Sequence, residues 1–111
     1  MTAVGNVALT SPAPIAEIRQ NLLKLGLPQD SLSKPVSTFS GGMKRRVALC
    51  RALMTPSDIL LLDEPYKGLD EATKLTAMHE VERLANGRTI ILITHDPDEA
   101  LGYRVIHLGT D

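Results

Sequence analysis

The chain carries one design twice: "DILLLDEP" at residues 58–65 and "RTIILITHD" at residues 88–96 are short apolar runs that end in acidic residues. Runs of this length, rich in Leu and Ile, read as strands buried on both faces, the habit of parallel sheets. Between them "DEATKLTAMHEVERLANG" places Leu75, Met78, Val81 and Ala85 at helical spacing, with Asp70 to cap its start and Gly87 just past its end. Strand, helix and strand in this order predict a βαβ unit, and with it an α/β fold that binds ligands at the C-terminal ends of its strands.

The flanking chain adds further elements. Ile15, Ile18, Leu22 and Leu25 predict a helix near 14–25, stopped by Gly26 and Pro28. The polar stretch "PQDSLSKPVST" reads as a connecting loop. From Ser40 a second helix is expected, with Met43, Val47, Cys50 and Met54 as its apolar stripe and Pro56 at its end. The opening "MTAVGNVALTSPAP" is rich in small residues and prolines and reads as irregular over 1–14, which leaves 15–111 as the ordered part. Asp96-Pro97 can open another short helix, and "RVIHL" reads as a last strand.

Composition excludes several classes of function. With 43% hydrophobic and 23% charged residues, the 111 residues suit one soluble domain with a modest core. A formal net charge of −1 offers no long-range field to draw in nucleic acid. Phe39, Tyr66 and Tyr103 are the only aromatics, too few for a base-stacking platform, so no nucleic-acid partner is expected. A lone Cys50 precludes an internal disulfide and reads as a core thiol. The longest apolar runs, 59–62 and 90–93, are far too short to span a bilayer, and the first ten residues lack the basic segment of a signal peptide, so a cytoplasmic location is expected.

Chemistry concentrates at the inferred strand ends. Asp63 and Glu64 follow four apolar residues, so two carboxylates project where a buried strand surfaces. Neighbouring strand side chains point opposite ways, which lets one acid hold Mg²⁺ and the other align a water. The alternative is a strand that merely ends in acids. His95, at the equivalent end of the second run, can donate to a phosphate oxygen or an attacking water, or be structural. His79 and His107 have no acids in register and read as structural or solvated.

"SGG" ahead of the second helix can turn backbone N–H groups toward an anion, or can be a simple Ser cap with a flexible lead-in. Lys44, Arg45 and Arg46 then fall in the first helical turn, where exposed cations conflict with the macrodipole by roughly 0.3–1 kcal/mol each. A phosphate docked at Ser40, Gly41 and Gly42 would make those cations helpful.

Taken in order, "FSGGMKRRVALCRAL", "ILLLDEP", "KGLD" and "ITHD" strongly resemble the ATPase subunits of ATP-binding cassette (ABC) transporters, over about residues 36–108. Residues 39–43 resemble that family's signature motif, 59–64 its Walker B, 67–70 its D-loop, and His95 its switch histidine. The resemblance implies a partial P-loop NTPase fold and ATP with Mg²⁺ as cofactors. It implies that Asp63 assists Mg²⁺, Glu64 polarises the attacking water and His95 senses the γ-phosphate. Ser40, Gly41 and Gly42, with Asp70 of the D-loop, would meet ATP held by a second ATPase subunit in a head-to-tail dimer. Membrane-spanning permease subunits are the other implied partners, with the ATPase peripheral on the inner face of the membrane. Met43 in place of the usual glutamine, and "KGLD", resemble bacterial importers of nitrate, sulfonate or taurine-like solutes.

One family element is not in the sequence. A P-loop needs G-x-x-x-x-G-K-[S/T], and the 111 residues contain no Gly-Lys dipeptide. No aromatic precedes the signature to stack on adenine, and Gln20 and Gln29 lie in no recognisable Q-loop setting. The expectation is therefore the C-terminal part of an ABC ATPase domain, incompetent alone, with strand edges and apolar faces left open, and with them self-association, a missing partner chain or marginal stability. A non-enzymatic remnant acting through its signature helix is the alternative.

Overall fold

Residues 1–103 are described by a computed structural model. Helix α1 (Ala3–Ala8) is capped by Thr2, whose hydroxyl accepts from the N–H of Gly5 at 3.1 Å, and Ala3, Val4 and Val7 are buried. The segment expected to be irregular thus contributes to the core. Six residues with no charged group are below the length of an independently stable helix, so α1 exists because α2 and α3 cover it. Val36 N–H also donates to the Met1 carbonyl at 2.8 Å, which pins the amino terminus.

Helix α2 (Ile15–Lys24) buries Ile18, Asn21 and Leu22, and Leu25 follows as its buried C-cap. The stretch expected as a loop contains two 3-10 turns, Gln29–Ser33 and Val36–Thr38, each preceded by a proline. Helix α3 (Gly41–Met54) starts and stops where the sequence predicts, with Ser40 as its N-cap. Val47 and Cys50 of the expected stripe are buried along with Leu49 and Leu53, while Met43 and Met54 are half-buried at its ends. Burial drives the Cys50 thiol up to about 12, as a core thiol requires.

Strands β1 (Ile59–Asp63) and β2 (Thr89–Ile93) pair in parallel, with Asp63 opposite Ile93, and helix α4 (Glu71–Ala85) joins them. The βαβ expectation holds, but the burial expectation does not. Leu60 and Leu62 point into the core, whereas Ile59, Leu61, Ile91 and Ile93 are exposed. Leu61 is 62% exposed and Leu62 only 3%. Helices pack on one face of the sheet, and among the described residues no element covers the other.

Helix α4 buries Val81 and Ala85 as expected, but in its first half the buried face lies one residue away from the expected one. Lys74, Ala77, Val81 and Ala85 line its buried side, while Leu75 is exposed and Met78 half-buried. Arg88 fixes the sheet to the helices from below. Its guanidinium donates to the carbonyls of Leu53 and Thr55 at the end of α3 and to those of Leu84 and Ala85 at the end of α4. Orphan C-terminal carbonyls of two helices are thereby satisfied by one side chain. Pro97–Ala100 forms a 3-10 turn capped by Asp96, as expected. "RVIHL" and His107 lie outside the described residues.

Candidate functional site

The parallel register brings the ends of β1 and β2 level, and the three strand-end residues singled out from the sequence converge there. Asp63 closes β1 on its outward, exposed face. Glu64 comes next, and its N–H donates to the Ile93 carbonyl at 2.8 Å. Its φ is 48°, in the left-handed region, so the strand alternation expected to separate the two acids ends at Asp63. A non-glycine residue there is strained, and Pro65 restricts its backbone further.

That strained backbone turns the Glu64 carboxylate into a partly enclosed position, 25% exposed. Its Oε1 is buried and makes no hydrogen bond, and the Nε2 of His95 lies 3.4 Å away. The imidazole itself is 96% exposed. A buried carboxylate oxygen without a donor is an unmet acceptor, which a water or another hydrogen-bond donor would satisfy. Among the described residues no three His, Cys, Asp or Glu side chains converge as a metal cage. Asp63, exposed at the end of β1, is a single carboxylate, a donor that suits an ion keeping most of its waters, as Mg²⁺ does.

The glycine turn is a separate construction. Phe39 is buried and anchors it, and Ser40 Oγ accepts from the N–H of Met43 at 3.1 Å. Gly41 is exposed, and a Cβ added there would meet nothing within 4 Å. At Gly42 the nearest atom would be Arg46 Nη2, at 3.5 Å. The turn is open to a ligand, and the structure records no contact between it and Glu64 or His95.

Only Lys44 of the three cations is left exposed beside the turn. Arg45 Nη1 donates to the Lys67 carbonyl at 3.4 Å and Arg46 Nη1 to the Gly26 carbonyl at 3.3 Å. Burial pushes the Arg46 guanidinium below its ordinary range, and the charge of Asp70 opposes that shift. The arginines thus find main-chain oxygens, and Arg46 also the charge of Asp70, as partners that offset part of the dipole conflict. Gly26 itself has φ 103°, and a Cβ there would stand 2.8 Å from Thr73 Cγ2, so this glycine permits the junction of α2, α3 and α4.

Asp70 caps α4. Its Oδ1 accepts from the N–H of Thr73 at 2.8 Å, and that bond, more than any other cause, holds its carboxyl below the usual range. The structure does not bring Asp70 to the strand-end cluster.

The sequence reading missed the group behind His95. Lys74 Nζ lies 2.5 Å from Asp96 Oδ2 and 2.9 Å from Glu99 Oε2. Glu99 Oε1 accepts from Thr94 Oγ1 at 2.6 Å, which in turn accepts from the Asp96 N–H at 3.0 Å. Helical spacing gave no signal for it, since Leu75 and Met78 are the more hydrophobic residues of that turn and the acids that hold Lys74 lie in a distant loop.

The chain thus joins an α/β unit with paired acids and a histidine at its strand ends to an open glycine turn at a helix start. Comparison makes this specific. The family model described as ABC transporter matches residues 2–67, and the chain belongs to the ABC transporter family. It is 42% identical over 86 residues to a bicarbonate transport ATP-binding protein of Synechococcus elongatus, covering 76% of this chain and 31% of the relative. It is 40% identical over 114 residues to a nitrate import ATP-binding protein of Synechocystis, covering 97% and 17%. An aliphatic sulfonates import ATP-binding protein of Agrobacterium fabrum is 41% identical over 110 residues, covering 95% and 42%. The expected likeness to importers is borne out by these names, and the chain spans less than half the length of each relative.

Among solved structures, the dimeric structure of a bacterial ABC transporter cassette superposes with a TM-score of 0.74 at 28% identity, covering 91% of this chain and 49% of that one. Its post-hydrolysis dimer bound to ADP and phosphate gives 0.72 at 26% identity, covering 90% and 48%. The fold is that of an ABC ATPase cassette, represented here by a parallel two-stranded sheet and its helices. Among the described residues no helix is long and apolar enough to cross a membrane.

Proposed function

We propose that this chain is the signature and Walker B portion of an importer ATPase, working in ATP hydrolysis with a P-loop supplied by another polypeptide segment. Asp63 assists the Mg²⁺ that accompanies the nucleotide, and Glu64 orients and polarises the attacking water. His95 donates to the terminal phosphate. When bound, the ion offsets the charge of the phosphate oxygens. Ser40, Gly41 and Gly42 present main-chain N–H groups and the positive end of α3 to the terminal phosphate of a nucleotide held by a second subunit. Asp70 belongs to the same intersubunit face, and permease subunits at the cytoplasmic side of the membrane complete the assembly. Phosphoryl transfer depends mostly on positioning and charge stabilisation, which such sparse equipment can supply.

The observation that carries this reading is the unpartnered, buried Oε1 of Glu64 beside His95 Nε2, on a backbone held out of its relaxed conformation. Strain of this kind concentrates where a side chain must be aimed. Since the sequence contains no Gly-Lys dipeptide, the chain alone is expected to release no phosphate from ATP. Mixed with a P-loop-bearing fragment of a related importer ATPase, it should do so, and Glu64→Gln should abolish the activity. No phosphate release in any such pairing would favour the rival reading, a non-enzymatic module that binds through its signature helix.

A further inference from the structure

His95 poses a mechanical problem that the reading above leaves open. Its ring is 96% exposed, so no packed side chain holds it on target, and its aim has to come from the main chain. That main chain is tied on both sides. Thr94 donates to Glu99, Asp96 donates its N–H to Thr94, and Asp96 accepts from the N–H of Asp98 at 2.9 Å. Both carboxylates converge on Lys74, whose side chain is 11% exposed against 8% for Glu99. The Asp96 hydrogen bond is the largest influence that raises the affinity of Lys74 for its proton.

We propose that Lys74 is a positioning residue for His95, acting as a charged clamp that closes the loop after β2 onto the first turn of α4. The proposal rests on the reading of His95 as the phosphate-facing group. Removing the ammonium leaves the carboxylates of Asp96 and Glu99 facing each other across its vacated place, with one of them buried, and like charges so placed separate. The loop then opens and carries His95 away from Glu64. Because Asp70 caps the same helix four residues earlier, the clamp also ties the turn after β1 to the loop after β2.

Amide exchange and ring relaxation, measured by NMR on the full chain, test the clamp without any nucleotide. In Lys74→Met the amide of Asp96, which donates to Thr94 Oγ1, should exchange at least about tenfold faster and the His95 ring should relax as a freer group, while the amides of Ala77 and Val81 keep their protection. Lys74→Arg should keep both ordered. Asp96→Asn, at a more exposed position, should shift His95 in the same direction by less, and it serves if Lys74→Met fails to fold. The double variant Lys74→Met/Glu99→Leu separates positioning from stapling. It should recover thermal stability by removing the buried charge, yet leave the His95 ring mobile because the Thr94 to Glu99 bond is gone. A His95 segment as protected in Lys74→Met and Asp96→Asn as in the parent overturns the clamp. In the paired phosphate-release assay, Lys74→Met should lower turnover with little change in nucleotide KM. A loosened His95 with unchanged turnover would uphold the clamp and overturn the role given to His95.

Discussion

At the ends of β1 and β2 the carboxylate of Glu64 and the ring of His95 stand on a backbone fixed from behind, by the Ile93 carbonyl on one side and the Lys74 clamp on the other. At the start of α3, by contrast, Ser40, Gly41 and Gly42 stand open, with one cap bond inside and nothing against Gly41. The difference suits the two tasks proposed for these regions. A group that must aim at a single water needs pre-organisation, whereas a turn that meets a phosphate across an interface needs space and unoccupied N–H groups. The two regions also differ in what supports them: the first depends on the core beneath the sheet, the second on one buried phenyl ring.

The largest effect expected from that contrast lies under the strand ends. Leu62 is buried immediately before Asp63, and Leu62→Ala should cost about 2–5 kcal/mol in urea unfolding through lost burial and the cavity left behind. Leu61→Ala, one residue away on the outward face, should cost far less, since its side chain already meets solvent. Equal losses at the two positions would mean that the outward face is covered in solution by a second molecule. That outcome would support the self-association expected from the open apolar face.

Next in size is the strain at Glu64. Replacing it with glycine rather than alanine should favour the glycine variant by about 1–2 kcal/mol, because only the alanine retains a Cβ at φ 48°. Both variants should be inactive in the paired assay, so stability and chemistry would move apart at one residue. A glycine variant no more stable than the alanine would show that the left-handed backbone is not maintained in solution, and the aiming argument for this acid would fall.

The two N-caps of the candidate machinery set a third test. Ser40→Ala should destabilise by about 1 kcal/mol, without dependence on pH. Asp70 behaves differently because its carboxyl titrates. Its folded pKa is depressed, so its contribution is full above its unfolded value near 4 and is lost as the pH falls through the lower folded value. Asp96 is depressed likewise, mainly by its bond to Lys74, and adds to the same acid limb. Protection of the Thr73 amide should therefore fall below about pH 4 while that of Met43 holds, and Asp70→Asn should flatten the response at Thr73.

Much of this architecture is readable from residues alone, and what escapes has one common cause. The βαβ unit, the caps at Ser40 and Asp70 and the convergence of Glu64 with His95 follow from local spacing and from parallel register. Helix α1 does not, since six small, uncharged residues become helical only when α2 and α3 bury them. Nor does the buried face of α4: Leu75 and Met78 are the more hydrophobic choice, and Lys74 lies inside only because Asp96 and Glu99, more than twenty residues on, meet it there. The destinations of Arg45 and Arg46 are likewise carbonyl oxygens of distant segments. In each case the deciding partner is remote in sequence, which no periodicity reports.

The smallest expected effect cuts most directly at the contrast between a wired site and an open one. Gly41 sits in the first turn of α3 with negative φ and empty space where a Cβ would go. On structural grounds alone Gly41→Ala should stabilise the chain by about 0.4–1 kcal/mol, because alanine has fewer unfolded conformations to lose. If the turn exists to let a phosphate approach the main chain, the added methyl group occupies that approach, and the same variant should lose phosphate release in the paired assay while it gains stability. A glycine retained for folding would give the opposite pattern, lower stability with the activity of the surviving protein intact. Stability gained with full activity kept would also count against the phosphate assignment, since the methyl group would then block nothing. Only the combination of a firmer fold and a silenced site matches a turn left open for a ligand from a neighbouring subunit.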